Sequence, residues 1–330
     1  MPAAKDDGSL AASVEGRAVY CIADSRYFAG AAALINSLRL TGNREEVLVL
    51  DCGLTQWQRS RLGQEATVIP ADPSMLRARN TFPFLMRAQL PLNQPARAML
   101  LLDCDIIVVR SLEPLWSEAE RGRIAAFADA LQQRSHPNWR PDLDLPPVRQ
   151  QPYVNAGCLV LPADTGLELL TRLEQGIPVA DTRRSFWTDG RPDDPFFFLD
   201  QDIINALLAS IIPAEQLAVF PYELAPHPPF PDLNCDSESL RCEYRDGRRP
   251  FLLHHVIAKP WLTDLPATPY SELLTRLLLA SDLPIRLRRN DLPPQLRTGR
   301  RAALARTRIQ LRAHARTLGS QIAQRLRTPR

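Results

Sequence analysis

The stretch Ala98 to Val109, AMLLLDCDIIVV, sets two carboxylates, Asp103 and Asp105, between two apolar runs. Uninterrupted apolar runs of this length read as strands buried on both faces, as in a parallel sheet. In an extended segment residues two apart share a face, so the carboxylates of Asp103 and Asp105 project together. Two such groups at the edge of a buried sheet repel, and a hard divalent cation removes the repulsion. The carboxyl edge of a parallel sheet is also where α/β folds bind ligands. Two solvated acids in a turn would give the same letters, and the flanking apolar runs are what favour a site.

Upstream, strands and helices alternate. Ala18 to Ala23 reads as a strand, then Asp24-Ser25-Arg26 breaks it. Tyr27 to Leu40 is predicted helical from Phe28, Ala31, Ala32, Ile35 and Leu38, with Thr41-Gly42-Asn43 as its stop. Val47 to Leu50 and Thr67 to Ile69 are strands around a helix at Thr55 to Leu62, and Thr81 to Leu90 is helical with an early interruption at Pro83. Downstream, Ile124 to Phe127 is a strand leading to Asp129, and Gln132 to Gln151 is a polar, proline-rich surface loop. Val154 to Leu161 is a strand containing Asn155-Ala156-Gly157, and a helix covers Asp202 to Leu208. Pro221 to Pro231 is too proline-rich for regular structure. Phe251 to Val256 is a last strand before Lys259-Pro260-Trp261. The alternation implies an α/β fold with a mostly parallel sheet and helices on both faces.

Composition agrees: 45% of the 330 residues are hydrophobic and 23% charged, a globular balance. No run reaches the roughly 18 apolar residues of a membrane span, and Met1 to Ala12 lacks the basic flank and apolar stretch of a signal peptide. Six cysteines without a CxxC pair, three of them (Cys21, Cys104, Cys158) in strand-like runs, read as buried reduced thiols and point to the cytoplasm. The net charge of +3 is uneven. From Leu283 to Arg330 thirteen arginines face one acid, a net +12, which leaves −9 on the first 282 residues. Leu304, Leu311 and Leu318 recur every seven residues there, with Ala315 and Ile322 in the same stripe. A basic helix with one apolar face suits an anionic membrane surface, on the inner face of the cell membrane for a cytoplasmic protein; a surface helix docked on the acidic body is the alternative. The acidic body lacks the interleaved basic and aromatic residues of a nucleic-acid binder.

Two further groups carry chemistry. Asp200-Gln201-Asp202 opens a helix, where capping accounts for Asp202 but does not require Asp200 and Gln201. His254 and His255 end a strand five and four residues before Lys259, one of only two lysines. Imidazole completes oxygen-rich sites for manganese-like ions, and an ammonium stabilises a departing phosphate. GxGxxG, GxxxxGK and GxSxG are all lacking, against dinucleotide, P-loop and serine-hydrolase chemistry.

In this order, Ala23-Asp24 with Tyr27, Leu101 to Ile106, Val154 to Gly157, Asp200-Gln201-Asp202-Ile203-Ile204-Asn205 and His254 to Trp261 resemble the motifs of glycosyltransferase family 8, across residues 17 to 262. The resemblance implies a GT-A nucleotide-diphospho-sugar transferase fold in residues 17–265, after a lead of 1–16 and before a C-terminal helical region 266–330 whose basic tail starts near 283. It implies a retaining, metal-dependent transfer of a hexose from a UDP-sugar, UDP-galactose or UDP-glucose, to a glycan or glycolipid hydroxyl, with Mn2+ or Mg2+ as cofactor. On this reading Asp103, Asp105 and His254 hold the metal. Asp24, Arg87, Asp103, Asp129, Asn155, Ala156, Asp200 and Lys259 bind the donor, Lys259 through the β-phosphate, and Asp200 and Gln201 are catalytic. The family's usual spacing from histidine to lysine is one residue longer and includes a glycine, so His255 competes with His254 as ligand. A non-catalytic or hydrolytic sugar-nucleotide-binding protein of the same fold is the alternative function, and a metal-dependent phosphohydrolase the rival chemistry.

Overall fold

The computed structural model describes residues 14–79, 82–263, 268–288 and 292. Its strands are β1 Val14–Ala23, β2 Glu46–Asp51, β3 Thr67–Pro70, β4 Ala96–Leu102, β5 Ile106–Val108, β6 Ile124–Ala128, β7 Val154–Pro162, β8 Leu217–Phe220, β9 Leu233–Asp236, β10 Arg241–Tyr244 and β11 Leu252–His254. Its helices are α1 Phe28–Leu40, α2 Gln56–Leu62, α3 Pro73–Arg79, α4 Gln89–Asn93, α5 Glu113–Glu120, α6 Trp139–Asp142, α7 Ala163–Gly176, α8 Asp200–Ser210 and α9 Pro269–Leu279.

Seven strands make one sheet in the order β3-β2-β1-β4-β7-β6-β8, in which only β7 runs against its neighbours. Leu100 sits at the centre, in register with Val19 on one side and Val160 on the other. The strand period sorts β4 between two cores. Leu100 and Leu102 face a cluster containing α1, α5 and α9, whereas Met99 and Leu101 face one containing α7 and α8. Covered on both faces, the strands need continuous apolar runs, which is why they were legible.

Helix α1 is buried from Phe28 to Leu38, because the sheet lies under it and α9 packs over it. Its one interior amide, Asn36, donates to the carbonyls of Leu277 (2.9 Å) and Ile285 (3.0 Å) and accepts from the Ile285 N–H (2.9 Å). Tyr270, Leu273, Leu277, Leu283, Ile285 and Leu292 belong to the same core as α1. The segment up to Leu292 thus completes the main core. The amphipathic tail read around Leu304 to Ile322 lies outside the described residues.

Other expectations change. The helix at Thr81 to Leu90 is a 3-10 turn at Pro83–Met86 and the short α4, since proline starts a turn but cannot sit inside a longer helix. Gln132 to Gln151 is not all surface: it holds α6, whose Trp139 is buried at 1% exposure and donates to the Pro195 carbonyl. Pro221 to Pro231 contains a 3-10 turn, Tyr222–Leu224, and the last strand stops at His254. Helix α7, strand β8 and the β9–β10 hairpin had no counterpart in the sequence reading. The hairpin overturns the expectation of six reduced thiols. Its register sets Cys235 opposite Cys242, and the two form a disulfide, while Cys21, Cys52, Cys104 and Cys158 are free and buried.

Candidate active site

Functional side chains gather at one edge of the sheet. Strands β1, β4 and β6 end there and deliver Asp24, Asp103 and Asp129. Antiparallel β7 begins at that edge and delivers Asn155 and Ala156. Chain order reverses between β1 and β4, the place where open α/β sheets bind ligands.

Asp103-Cys104-Asp105 is a tight turn rather than the expected extended segment. The Ile106 N–H donates back to the Asp103 carbonyl (3.2 Å), and the Asp103 N–H donates to the Gly157 carbonyl (2.9 Å). The turn throws β5 off the main sheet to pair with β11, with Ile106 opposite His254. That register brings Nε2 of His254 to 3.1 Å from Asp105 Oδ1 and 3.8 Å from Asp103 Oδ2. Ligand atoms of the three residues all lie within 4.8 Å of one another. Asp105 Oδ1 is buried without a hydrogen-bond partner. Two carboxylates, one imidazole and an unpartnered oxygen among them fit a divalent cation with oxygen and nitrogen preference. His255 is not in this cluster. It packs against Phe230 and Tyr270, where burial pushes its pKa down to about 4.

Lys259 donates to Asp105 Oδ2 and to the His255 carbonyl (2.8 Å). Burial alone would raise the Asp105 carboxyl, but Lys259 and His254 hold it far below the usual carboxylate range. Arg87 is likewise engaged: Nε lies 2.7 Å from Asp200 Oδ2, one Nη 3.2 Å from Asp103 Oδ1, and the other donates to the Ala156 carbonyl. Both cations expected to bind the donor are thus tied to the site's own carboxylates.

Asp200 and Gln201 reach the site because Leu199 takes φ 51° just before α8, which turns the first helical turn inward. Burial, with Asp103 adding repulsion, lifts the Asp200 pKa to about 6 against the pull of Arg87. Gln201 Oε1 accepts from the Ala156 N–H (3.0 Å) and from Asn155 Nδ2 (3.3 Å). Asp202, the expected cap, is a structural anchor: buried, it accepts from Arg134 Nε (2.7 Å), Tyr153 Oη (2.8 Å) and the Phe198 N–H (2.8 Å). Asp24 accepts from the N–H groups of Arg26 and Tyr27, which anchors the entry to α1.

Asp24, Arg87, Asp103, Asp105, Asn155, Ala156, Asp200, Gln201, His254 and Lys259 line one cavity of about 340 Å³. Phe82, Trp187 and Ile257, which the sequence reading missed, line it too. Trp187 and Ile257 are 44% and 57% exposed, unusual for large apolar residues, but exposure is invisible in a sequence. At Gly157 a Cβ would overlap the His254 ring. Asp129 stands apart. It lines a second cavity, of about 1160 Å³, with Gln132, Gln151, Phe197, Asn205 and Tyr222; Phe198 borders both.

No family model and no curated protein matches the chain. Solved structures do. A crystal structure of an active-site mutant of LgtC aligns with a TM-score of 0.55 at 19% identity, covering 81% of this chain and 96% of that one. The galactosyltransferase LgtC in complex with donor and acceptor sugar analogs gives 0.54 at 19%, over 80% and 98%. The bifunctional glycosyltransferase WbbM gives 0.52 at 16%, over 86% of this chain and 51% of that one. The chain has the GT-A fold of these proteins. Among the described residues no helix is long and apolar enough to cross a membrane.

Proposed function

We propose that this chain is a retaining glycosyltransferase that moves a hexose from a UDP-sugar, UDP-galactose or UDP-glucose, to a hydroxyl of a glycan or glycolipid. What carries the reading is the cavity that holds Asp103, Asp105 and His254 together with Asp200 and Gln201, on a fold shared with sugar transferases. The three ligands would hold Mn2+ or Mg2+, which supplies Lewis-acid stabilisation of a departing diphosphate. Lys259 and Arg87 supply the cavity's fixed positive charge. In the transfer the bond from the anomeric carbon to the UDP oxygen breaks, the acceptor oxygen bonds to that carbon, and the acceptor proton passes to the leaving phosphate. Gln201 is a poor nucleophile, because an amide is barely basic and its oxygen already accepts two N–H donors. Same-face attack is therefore favoured, with Asp200 the covalent alternative. The larger cavity, bordered by Asp129 and Phe198, has room for an acceptor of several sugar units.

A screen of UDP-sugars for metal-dependent turnover tests this, with proton NMR of the first-formed anomer reporting retention. UDP binding equal in manganese and in EDTA would overturn metal dependence, and an inverted product would overturn retention. Membrane association through the arginine-rich tail is part of the same proposal. The full chain should co-sediment with anionic liposomes at low salt, and a version ending at Leu292 should not. A cut at the start of the arginine-rich segment, near 283, is unsuitable, because Leu283 and Ile285 are core residues.

A further inference from the structure

Donor and acceptor logic at the metal cluster singles out Asp129, which lies outside the donor cavity. Its Oδ2 accepts from Asn155 Nδ2 at 3.0 Å and from Gln201 Nε2 at 3.4 Å, and its Oδ1 accepts from the Leu131 N–H at 3.0 Å. A carboxylate offers only acceptors, so the Asn155 amide must turn its NH2 toward Asp129. Its Oδ1 then points the other way, where it accepts from the Gly157 N–H (3.0 Å) and lies 3.0 Å from His254 Nδ1. An amide oxygen cannot donate, so His254 Nδ1 carries the proton. In the neutral imidazole Nε2 is then the unprotonated nitrogen, and it is aimed at Asp103 and Asp105.

We infer that Asp129 is the positioning residue of the metal centre: through the Asn155 amide it fixes the tautomer of His254 and keeps Nε2 free to ligate. The same carboxylate holds the Gln201 amide with its oxygen toward Ala156. Outer partners that fix a ligating histidine in this way typically contribute about ten- to a hundredfold in metal affinity. The inference rests on the metal reading above, but the tautomer belongs to the protein without metal.

Asp129→Asn keeps size and removes one acceptor. If its NH2 faces Leu131, two donors meet; if it faces Asn155, the Asn155 amide turns over, offers its own N–H to Nδ1, and moves the imidazole proton to Nε2. The test is two-bond nitrogen–proton correlation NMR of the full-length, metal-free protein at alkaline pH, with His254 assigned by its loss in His254→Gln. Wild-type protein should show Nδ1 protonated and Nε2 bare. Asp129→Asn should populate the opposite tautomer, and by calorimetry its manganese affinity should fall about ten- to a hundredfold. Asp129→Glu should restore the wild-type tautomer in part. A wild-type His254 protonated on Nε2 overturns the inference without any variant, and so does a folded Asp129→Asn with an unchanged tautomer. If the tautomer follows Asp129 but manganese does not bind the wild-type protein, the inference stands and the metal reading falls.

Discussion

The two cavities at the sheet edge are built on different principles. In the 340 Å³ cavity the charged side chains hold one another: Lys259 on Asp105, Arg87 on Asp103 and Asp200, with His254 beside both metal-side carboxylates. The 1160 Å³ cavity is walled by aromatic rings and amides, and Gln151 there has neither polar atom of its amide partnered. Residues of the small cavity are at once chemistry and structure. In the large one Asp129 and Arg134 are also held, on Asn155 and Asp202, but the Gln151 amide is left to meet whatever occupies it.

The largest expected effect breaks the small cavity. Asp105→Ala strands the buried Lys259 ammonium and should cost about 3–5 kcal/mol in urea unfolding. Taken as no more than one of two repelling carboxylates, Asp105 would be dispensable for stability. Adding Lys259→Met should recover much of the loss, and an unchanged midpoint in the single variant would mean that the pair contributes nothing.

Asp103 separates chemistry from stability, because its side chain is 34% exposed. Asp103→Asn should lower donor turnover about 10²- to 10³-fold, with the melting temperature nearly constant. Loss of fold and activity together would erase the distinction between the two metal-side acids.

Next comes pH. Asp200 is raised from 3.8 to about 6 by burial. Between those values the folded chain keeps a proton that the unfolded chain has released, so stability falls as pH rises through the window, by roughly 3 kcal/mol in all. Asp105 has the opposite sign, and its window lies below 3.8. Asp200→Asn should therefore flatten the slope of the urea midpoint between about pH 4 and 6. A slope identical to wild type would show that Asp200 is not held protonated.

The smallest effect tests the large cavity. Ala209, on α8, is part of its wall. Ala209→Trp should raise the KM for an oligosaccharide acceptor about tenfold, with UDP affinity unchanged. Equal KM values for mono- and oligosaccharide acceptors would remove this cavity from acceptor binding.

The same contrast explains what was legible in the sequence. Asp24, Asp103 and Asn155 sit where apolar runs meet polar residues, and a two-sided buried sheet writes those ends plainly. Asp200 and Gln201 were visible because capping does not need them. The roles of Arg87 and Lys259 as internal counter-ions were not visible, since both partners are distant in the chain. Nor was the larger cavity, whose walls come from the Gln132 to Gln151 segment, α8 and the Tyr222 turn. The Cys235–Cys242 bond escaped for a related reason: it depends on hairpin register, not on a motif. That His254 rather than His255 faces the two carboxylates follows from β11 pairing with β5, one residue of register that spacing alone left open.

Asn36 has a consequence for how the chain is made. Its three hydrogen-bonding partners lie on Leu277 and Ile285, some 240 residues later. As the protein leaves the ribosome, α1 emerges early with a polar amide on a face destined for the interior. Docking that face without its partners would bury an unsatisfied group at about 1–3 kcal/mol. The amino-terminal units thus remain unfinished until residue 285 is available, with an apolar surface open on α1 while the intervening residues are made. A chaperone that shields such surfaces should be found on ribosomes carrying this chain until Ile285 clears the exit tunnel, and released soon after.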